Sequence, residues 1–441
     1  MVEHNNTIFK LLEQAKKKGE SAEVFYLSRY REPVVFEANQ LKTLELQETS
    51  GVSLRLIKDG RIGFSSTNII QDTNILVENA VETAPFGPIA CFEFPNFRVF
   101  NPVQTNDPTT KLFPINRMID LGRDLVEKIH QLNPEVLCDS EISKNVTTIT
   151  IANTNGGFAT YTTSVFAISI SGTLIDGTDM FFLGDYVLSC NPIENTDELV
   201  SSIFTQLENG RTIADPVNGQ VDAIFTPRGV ASAIIPPLMS GFNGKSVLQG
   251  SSPLADKLDQ PVFDKNLSIW DHPDLHMIPG SRMCDDEGVS SKRIPLIGNG
   301  IVRNFLYDLQ TAGQANKEST GNAHRSLSSP PAPGISVSVV YPGETSFEDM
   351  VANTKHGIVI EGLLGAGQSN ILGGDINANV LLGYRIKNGK IVGRLKNTII
   401  NGNVYQALKN IKALGNDSKW IGGSLKTPSI YCSGISAATR E

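Results

Sequence analysis

Two histidines, three consecutive acids and a short Ser/Thr/His run are the residues whose types and spacing could do chemistry. His272 and His276 stand four apart in His-Pro-Asp-Leu-His. On a helix that spacing puts both imidazoles on one face, as zinc sites use them. Asp271 would cap such a helix and Pro273 would sit in its first turn. Two histidines alone do not close a site, and no acid or cysteine ligand stands at a regular spacing from them. Asp285, Asp286 and Glu287 precede Gly288. They would bind a cation or supply a general base where the surroundings split their pKa values. The simpler expectation is a solvated turn ahead of a strand. Ser319, Thr320, Gly321, Asn322 and His324 share one short segment. Nucleophile and base normally meet in space, and no nucleophile-elbow pattern surrounds these residues, so a polar surface loop is expected.

The elements around these residues are as informative as the residues. Between Thr226 and Gly288 an apolar helix-forming run, 230–239, ends in Ser240-Gly241. It holds no His-Glu pair at metal-ligand spacing. The glycine-rich stretch 362–370 lacks the Lys-Ser/Thr of a phosphate loop, and close approach to a neighbouring segment or a bound peptide explains its glycines as well. Cys432, in Thr-Pro-Ser-Ile-Tyr-Cys-Ser-Gly, reads as a buried apolar thiol on a strand.

Composition sets the limits. The 441 residues suggest more than one domain, and a hydrophobic share of 40% with 19% charged residues is globular. A net charge of −8 argues against a nucleic-acid surface. The five cysteines are scattered without a C-x-x-C pair, as in a reducing compartment. No run reaches the roughly 18 apolar residues of a membrane span, and the amphipathic N-terminus is no signal peptide. A cytoplasmic protein without membrane contact is expected.

Hydrophobic periodicity predicts helices over 8–18, 72–84, 115–131, 197–206, 230–239, 344–354 and 404–414. Phe9, Leu12 and Ala15 would form the first apolar stripe, and Asp72 would cap the second helix. Strands are expected over 22–29, 34–46, 51–57, 61–65, 137–151, 157–174, 221–225, 293–297, 301–308, 336–341, 357–363, 380–387 and 390–395. Asp59-Gly60 and Asn155-Gly156 mark tight hairpins. The stretch 85–108 reads as a proline-rich loop or linker. Together these give an α+β protein of two domains, with mostly antiparallel sheets and packed helices. The N-terminal domain would span 1–218, with subregions of about 1–90 and 110–215, and a β-rich C-terminal domain 219–441.

Several motifs carry a resemblance. Gly-Val-Ser-Leu-Arg-Leu-Ile-Lys-Asp-Gly-Arg-Ile-Gly-Phe-Ser-Ser-Thr-Asn at 51–68 resembles the N-terminal signature of the TldD/PmbA family. Asp286-Glu-Gly-Val, Asn299-Gly-Ile, Ser319-Thr-Gly-Asn322 and Tyr341-Pro-Gly343 follow in the order of that family's C-terminal domain. In the TldD branch a helix bearing His-Glu-x-x-x-His and a cysteine near the C-terminus form a zinc site that cuts extended or unfolded peptides. In the PmbA branch, also called TldE, that motif is missing. This chain is similar to the PmbA branch: its helix within about 228–239 has neither His nor Glu, Cys432 is followed by Ser-Gly-Ile, and Ile269 to Leu275 reads Ile-Trp-Asp-His-Pro-Asp-Leu.

The resemblance implies a non-catalytic subunit of a TldD/TldE-type metallopeptidase complex, acting in proteolysis and peptide maturation. Zinc would sit on a TldD-like partner, with no cofactor, catalytic residue or metal ligand on this chain. Asp285, Asp286, Glu287, Ser319, Thr320, Gly321 and Asn322 would contact peptide or partner. A homodimer would form in isolation. The alternative is a self-sufficient metal-dependent peptidase using a non-standard site at His272 and His276 or at the acids 285–287.

Overall fold

The computed structural model describes residues 2–69, 73–96 and 98–440, with side chains from Asn6 onward. The expected cap Asp72 lies outside the described residues. The chain is α+β. Its N-terminal sheet is wholly antiparallel, built from β1 (Ser21–Glu37), β2 (Gln40–Leu44), β3 (Gln47–Lys58), β4 (Arg61–Thr67), β5 (Leu137–Asn153), β6 (Phe158–Asp176) and β7 (Asp179–Ser189). The order is β4-β3-β1-β5-β6-β7, with β2 continuing the β3 side of β1. The hairpin expected at Asp59-Gly60 forms, with both residues at positive φ, 51° and 68°. The single strand expected over 34–46 is instead the end of β1, a turn and β2. Ala38 and Asn39 take positive φ there without a glycine. β5 holds that turn: the Asn39 side chain accepts from the Cys138 N–H at 2.8 Å, and the Asp139 carboxylate accepts from the Ala38 N–H at 2.9 Å.

Helices cover the sheet at two places. α1 (Val2–Lys16) and α2 (Thr73–Thr83) pack Ile8, Leu11, Leu76 and Ala80 against Val24, Leu54 and Leu56. Phe9 is not in that stripe; it is half exposed and stacks on Phe158 at 5.9 Å. The short α3 (Pro108–Leu112) is capped by Asp107. α4 (Ile115–Leu132) buries Met118, Leu125 and Ile129 against Phe36, Ile142 and Ile168. Each such side chain contributes about 1.5–3 kcal/mol on burial. α5 (Asp197–Gly210) joins the same core, which continues into Ile224, Val359, Tyr384 and Tyr431 of the C-terminal half.

From Asn218 the strands are β8 (Asn218–Phe225), β9 (Ile269–Asp271), β10 (Ile294–Gly298), β11 (Ile301–Val302), β12 (Ala323–His324), β13 (Ala332–Pro333), β14 (Ser338–Val340), β15 (His356–Leu364), β16 (Asp375–Lys387), β17 (Lys390–Arg394), β18 (Thr398–Asn403), β19 (Ile411–Leu414), β20 (Lys419–Ile421), β21 (Leu425–Thr427) and β22 (Ile430–Thr439). β8, β22, β18, β16 and β15 pair in a ring that the β15–β8 contact closes into a small barrel. β15 and β8 are parallel; the other neighbours in the ring are antiparallel. A second sheet, β11-β10-β9-β14-β21-β20, packs through the same core cluster. The helix expected over 404–414 stops at Ala407: Asn410 turns its side-chain amide onto the Gln406 carbonyl at 2.9 Å, and 411–414 pair with β22.

Candidate functional site

The helical segment 227–242 leaves the C-terminal end of β8 and lies against the barrel. Thr226 starts it, its hydroxyl accepting from the Gly229 N–H at 3.3 Å, and Pro227 occupies the first turn. Pro236 and Pro237 have no N–H to return to the preceding turn. A π turn, Val230–Ile234, stands directly before the α-helical stretch Ile235–Phe242 that contains them. Val230, Ile234, Leu238 and Phe242 are buried in the barrel core. Two close approaches fix the segment: a Cβ at Gly229 would lie 2.1 Å from the Ile360 carbonyl oxygen, and one at Gly241 would lie 2.3 Å from the Tyr405 hydroxyl. That hydroxyl donates to Pro237 O and Leu372 O, each at 3.3 Å.

Chemically the segment is inert toward metals. From 227 to 242 its side chains are aliphatic, proline, serine, one arginine, one methionine and one phenylalanine. Zinc asks for imidazole, thiolate or carboxylate, so these residues do not fit it. Cys432 on β22 is fully buried among apolar neighbours, and burial pushes its thiol up to about 12. Among the described residues no group of three or more His, Cys, Asp or Glu is arranged to hold a metal ion.

The two histidines do not share a helix. Residues 272–277 are turns following β9, so the expected i, i+4 face does not exist. Asp271 caps nothing: it is fully buried and accepts from the N–H groups of Val337 and Ser336 and from the Asn322 amide. Burial pushes its carboxyl up to about 6, against those donors. His272 meets the Tyr341 hydroxyl at 3.2 Å, and burial lowers its pKa. His276 Nδ1 accepts from the Gln104 N–H at 3.1 Å, a contact to the 85–108 stretch.

The acids 285–287 are not a solvated turn. Asp285 and Glu287 are fully buried and Asp286 nearly so. Asp285 ties down the N–H groups of Glu287, Val289 and Ala323. Asp286 accepts from the Arg325 N–H at 2.9 Å and from the Tyr161 hydroxyl at 3.3 Å, with Arg282 at 3.6 Å. Glu287 meets Arg55 of β3 at 2.6 Å and the Leu309 N–H at 2.7 Å. Arg55 also reaches Glu23 of β1 at 3.1 Å, and Arg325 meets Glu23 at 2.6 Å. Phe92 and Phe94 lie against the Arg55 guanidinium and Phe25 under that of Arg325. Burial pushes the Asp285 and Glu287 carboxyls up, with Arg282 and Arg55 respectively opposing. The result is an enclosed charge network joining the N-terminal sheet to the C-terminal half. Sequence reading missed its other members, Glu23, Arg55, Arg282 and Arg325, since Arg55 and Glu287 stand 232 residues apart.

Ser319 to Asn322 join this framework. The Ser319 and Thr320 hydroxyls donate to the Tyr307 carbonyl at 3.3 and 3.0 Å. Asn322, 1% exposed, donates to Asp271 at 2.6 Å. His324 does not meet Ser319 or Thr320 in a triad: its Nε2 lies 2.7 Å from Arg282 Nη2, and burial holds it well below the usual histidine range. Because arginine only donates, that nitrogen is the acceptor.

Residues 218–439 match the model described as PmbA/TldA metallopeptidase C-terminal domain, and residues 22–84 match PmbA/TldA metallopeptidase domain 1. The chain belongs to the TldD/PmbA family. A protein named metalloprotease PmbA homolog from Haemophilus influenzae is 23% identical over 92% of this chain and 90% of its own length. An uncharacterized protein of Methanocaldococcus jannaschii is 24% identical over 96% of this chain and 98% of its own. The crystal structure of TldE from Thermococcus kodakarensis superposes with a TM-score of 0.88 at 19% identity, over 98% of this chain and all of that one, and shares its fold. The TldD/PmbA match spans both regions that the buried charge network joins.

Proposed function

We propose that this chain is a PmbA/TldE-type subunit of a TldD/TldE-type metallopeptidase complex, without hydrolytic activity of its own. The observation that carries this is the helical segment 227–242. By the resemblance it stands where the family's metal-binding helix does, and it offers only side chains that zinc does not accept, packed from behind by the barrel core. A zinc-activated water needs three protein ligands and an open coordination position, and neither histidine pair nor acid cluster supplies them here. In this reading a TldD-like partner holds the zinc, and this chain helps wall a cleft that admits extended peptide as an added strand.

The test is reconstitution. The chain alone, a TldD-like partner alone and their mixture are assayed on an unstructured peptide, with zinc quantified and the species sized by chromatography. Zinc and hydrolysis confined to samples containing the partner, with a mixed complex and altered activity in the mixture, are expected. Near-stoichiometric zinc and hydrolysis in this chain alone, both lost in His276→Ala, would overturn the proposal in favour of a self-sufficient peptidase. A partner that neither binds nor responds would overturn it too.

A further inference from the structure

A groove of about 540 Å³ runs along α1 at the turn between β5 and β6, within the range of about 300–1,000 Å³ that ligand sites occupy. None of its lining residues belongs to the buried charge network or to segment 227–242. The helix side is Phe9, Leu12, Glu13 and Lys16, one face of α1 over two turns. The Phe9 and Phe158 rings stack at 5.9 Å and 18°, and Leu12 is buried. Phe9 nevertheless stays 49% exposed toward the open groove. Lys16 lies about 10 Å further along the helix, seven residues at about 1.5 Å each. The hairpin turn comes to that same end, because Thr154 pairs with Ala22 just beyond α1. Arg98 lies on the turn. Its Nε donates to the Gly156 carbonyl at 2.6 Å, and a Cβ at Gly156, whose φ is 90°, would lie 3.0 Å from its Nη2. The chain leading to Arg98 is clipped to the turn as well: Asn153 donates to the Pro95 carbonyl at 2.7 Å and Asn155 to the Phe94 carbonyl at 2.8 Å. Neither Arg98 nor Lys16 forms an ion pair with any described residue.

The groove is therefore amphipathic along its length, with aromatic rings at one end and two unpaired cations at the other. Its lining holds Lys16 and Arg98 against Glu13, a surplus of one positive charge that a single carboxylate cancels. Arg98 has one N–H anchored on the turn, so its Nη fork is oriented before anything binds and matches the two oxygens of a carboxylate. Lys17 and Lys18, both exposed, extend the positive field at this end of a chain whose net charge is −8. A large apolar side chain would cover the exposed Phe9 ring and extend the Phe9–Phe158 stack. We propose that this groove binds the free C-terminus of a peptide ending in an aromatic or large aliphatic residue, its carboxylate on Arg98 and Lys16 and its last side chain on Phe9, Leu12 and Phe158. The groove opens along the exposed side of α1, which lets the rest of the peptide leave. The choice of a peptide over a small free acid of the same chemistry rests on the subunit role proposed above.

The test uses the purified full chain and three flexible Gly/Ser octapeptides carrying an N-terminal fluorophore: one ending in phenylalanine with a free carboxylate, the same peptide as its C-terminal amide, and one ending in serine with a free carboxylate. Fluorescence anisotropy gives Kd for each, and 3-phenylpropionate serves as competitor. The phenylalanine acid is expected to bind about tenfold tighter than its amide and than the serine acid, and added salt to weaken the acid far more than the amide. Arg98→Gln is expected to erase the preference for acid over amide. Lys16→Gln changes an exposed side chain, so it leaves the melting temperature unchanged while lowering that preference several-fold. Phe9→Ala is expected to weaken the phenylalanine peptides alone and to leave the ratio of acid to amide intact. No binding, equal affinity for acid and amide, or a preference that survives Arg98→Gln would overturn the proposal. 3-Phenylpropionate binding as tightly as the peptide would overturn the assignment to a peptide. All of this is measured on the chain alone, so none of it touches the subunit reading, which is decided by reconstitution with a partner.

Discussion

Replacing Arg55 by methionine keeps most of the side chain's volume and removes its charge. The guanidinium is 3% exposed and holds Glu287 at 2.6 Å and Glu23 at 3.1 Å, both carboxylates fully buried. Removing one partner from a buried ion pair costs about 3–5 kcal/mol, because the remaining charge is left uncompensated. Two features moderate the loss. Glu23 keeps Arg325 at 2.6 Å, and Glu287 keeps the Leu309 N–H and can take up a proton, since burial already pushes its carboxyl up. The expected loss is therefore about 3 kcal/mol, the lower end of that range. Against a typical total of about 5–15 kcal/mol this is a large share. The matched control is Arg31→Met, which breaks an ion pair to Glu141 that is about one-third exposed on both sides and worth about 0–1 kcal/mol. Guanidinium melts followed by far-ultraviolet circular dichroism report the whole chain. Tryptophan fluorescence reports the C-terminal half, since Trp270 and Trp420 both lie there. If the network joins the two halves, Arg55→Met lowers the midpoint and pulls the two signals apart. The triple variant with Glu23→Gln and Glu287→Gln recovers much of the loss, because no unpaired charge remains. An Arg55→Met loss no larger than that of Arg31→Met, with coincident signals, would refute the reasoning.

Further outcomes follow from the same geometry. Asp271, with its carboxyl raised to about 6, contributes stability that is full below the ordinary carboxylate value and fades as pH rises through about 6. Asp179 is the opposite case: burial pushes it up, but Lys396 and Arg394 hold it below the usual range, so its contribution fades as pH falls. The melting temperature is thus expected to peak between about pH 4 and 6 and decline toward 8, with Asp271→Asn flattening the decline; a steady rise to pH 8 would contradict this. Gly229→Ala forces a methyl group to 2.1 Å from a backbone oxygen and should cost about 1–3 kcal/mol or more in denaturant melts, whereas the same change at the open Gly362 should cost under 1. Cys91 is exposed and Cys138, Cys190, Cys284 and Cys432 are buried. A colorimetric thiol reagent at pH 8 should therefore meet one fast thiol, lost in Cys91→Ser, and the other four only after denaturation.

Where structure follows from adjacent residues, the sequence was readable. The Asp59-Gly60 hairpin and the α4 stripe of Met118, Leu125 and Ile129 rest on neighbours within a few positions. Asp176-Gly177 is the same turn signal, with Gly177 at φ 60°, yet β7 after it went unread because its apolar residues do not alternate simply. The turn at Ala38-Asn39 has no glycine and depends on β5, about a hundred residues downstream. The histidines and acids went wrong for one reason. Spacing along the chain suggested a helix face at 272–276 and a wet turn at 285–287. Tertiary partners decide both: Gln104 for His276, and Arg55 for Glu287. The emptiness of the 227–242 segment was legible, because a missing ligand type needs no partner to be seen.

The barrel's ring has a temporal side. β8 is made at residues 218–225 but is flanked by β15 and by β22, which ends at Thr439. A ribosome therefore releases β8 with both its edges bare, and they stay bare for the synthesis of more than a hundred residues on one side and about two hundred on the other. Such long-range closure belongs to the slow-folding, high-contact-order class, and unpaired edges are where nascent chains associate wrongly. The N-terminal sheet is complete by Ser189. We expect the interval in which the N-terminal sheet is finished and the barrel is still open to limit yield, so that slowing initiation or supplying a holding chaperone raises yield more than a change to the N-terminal half.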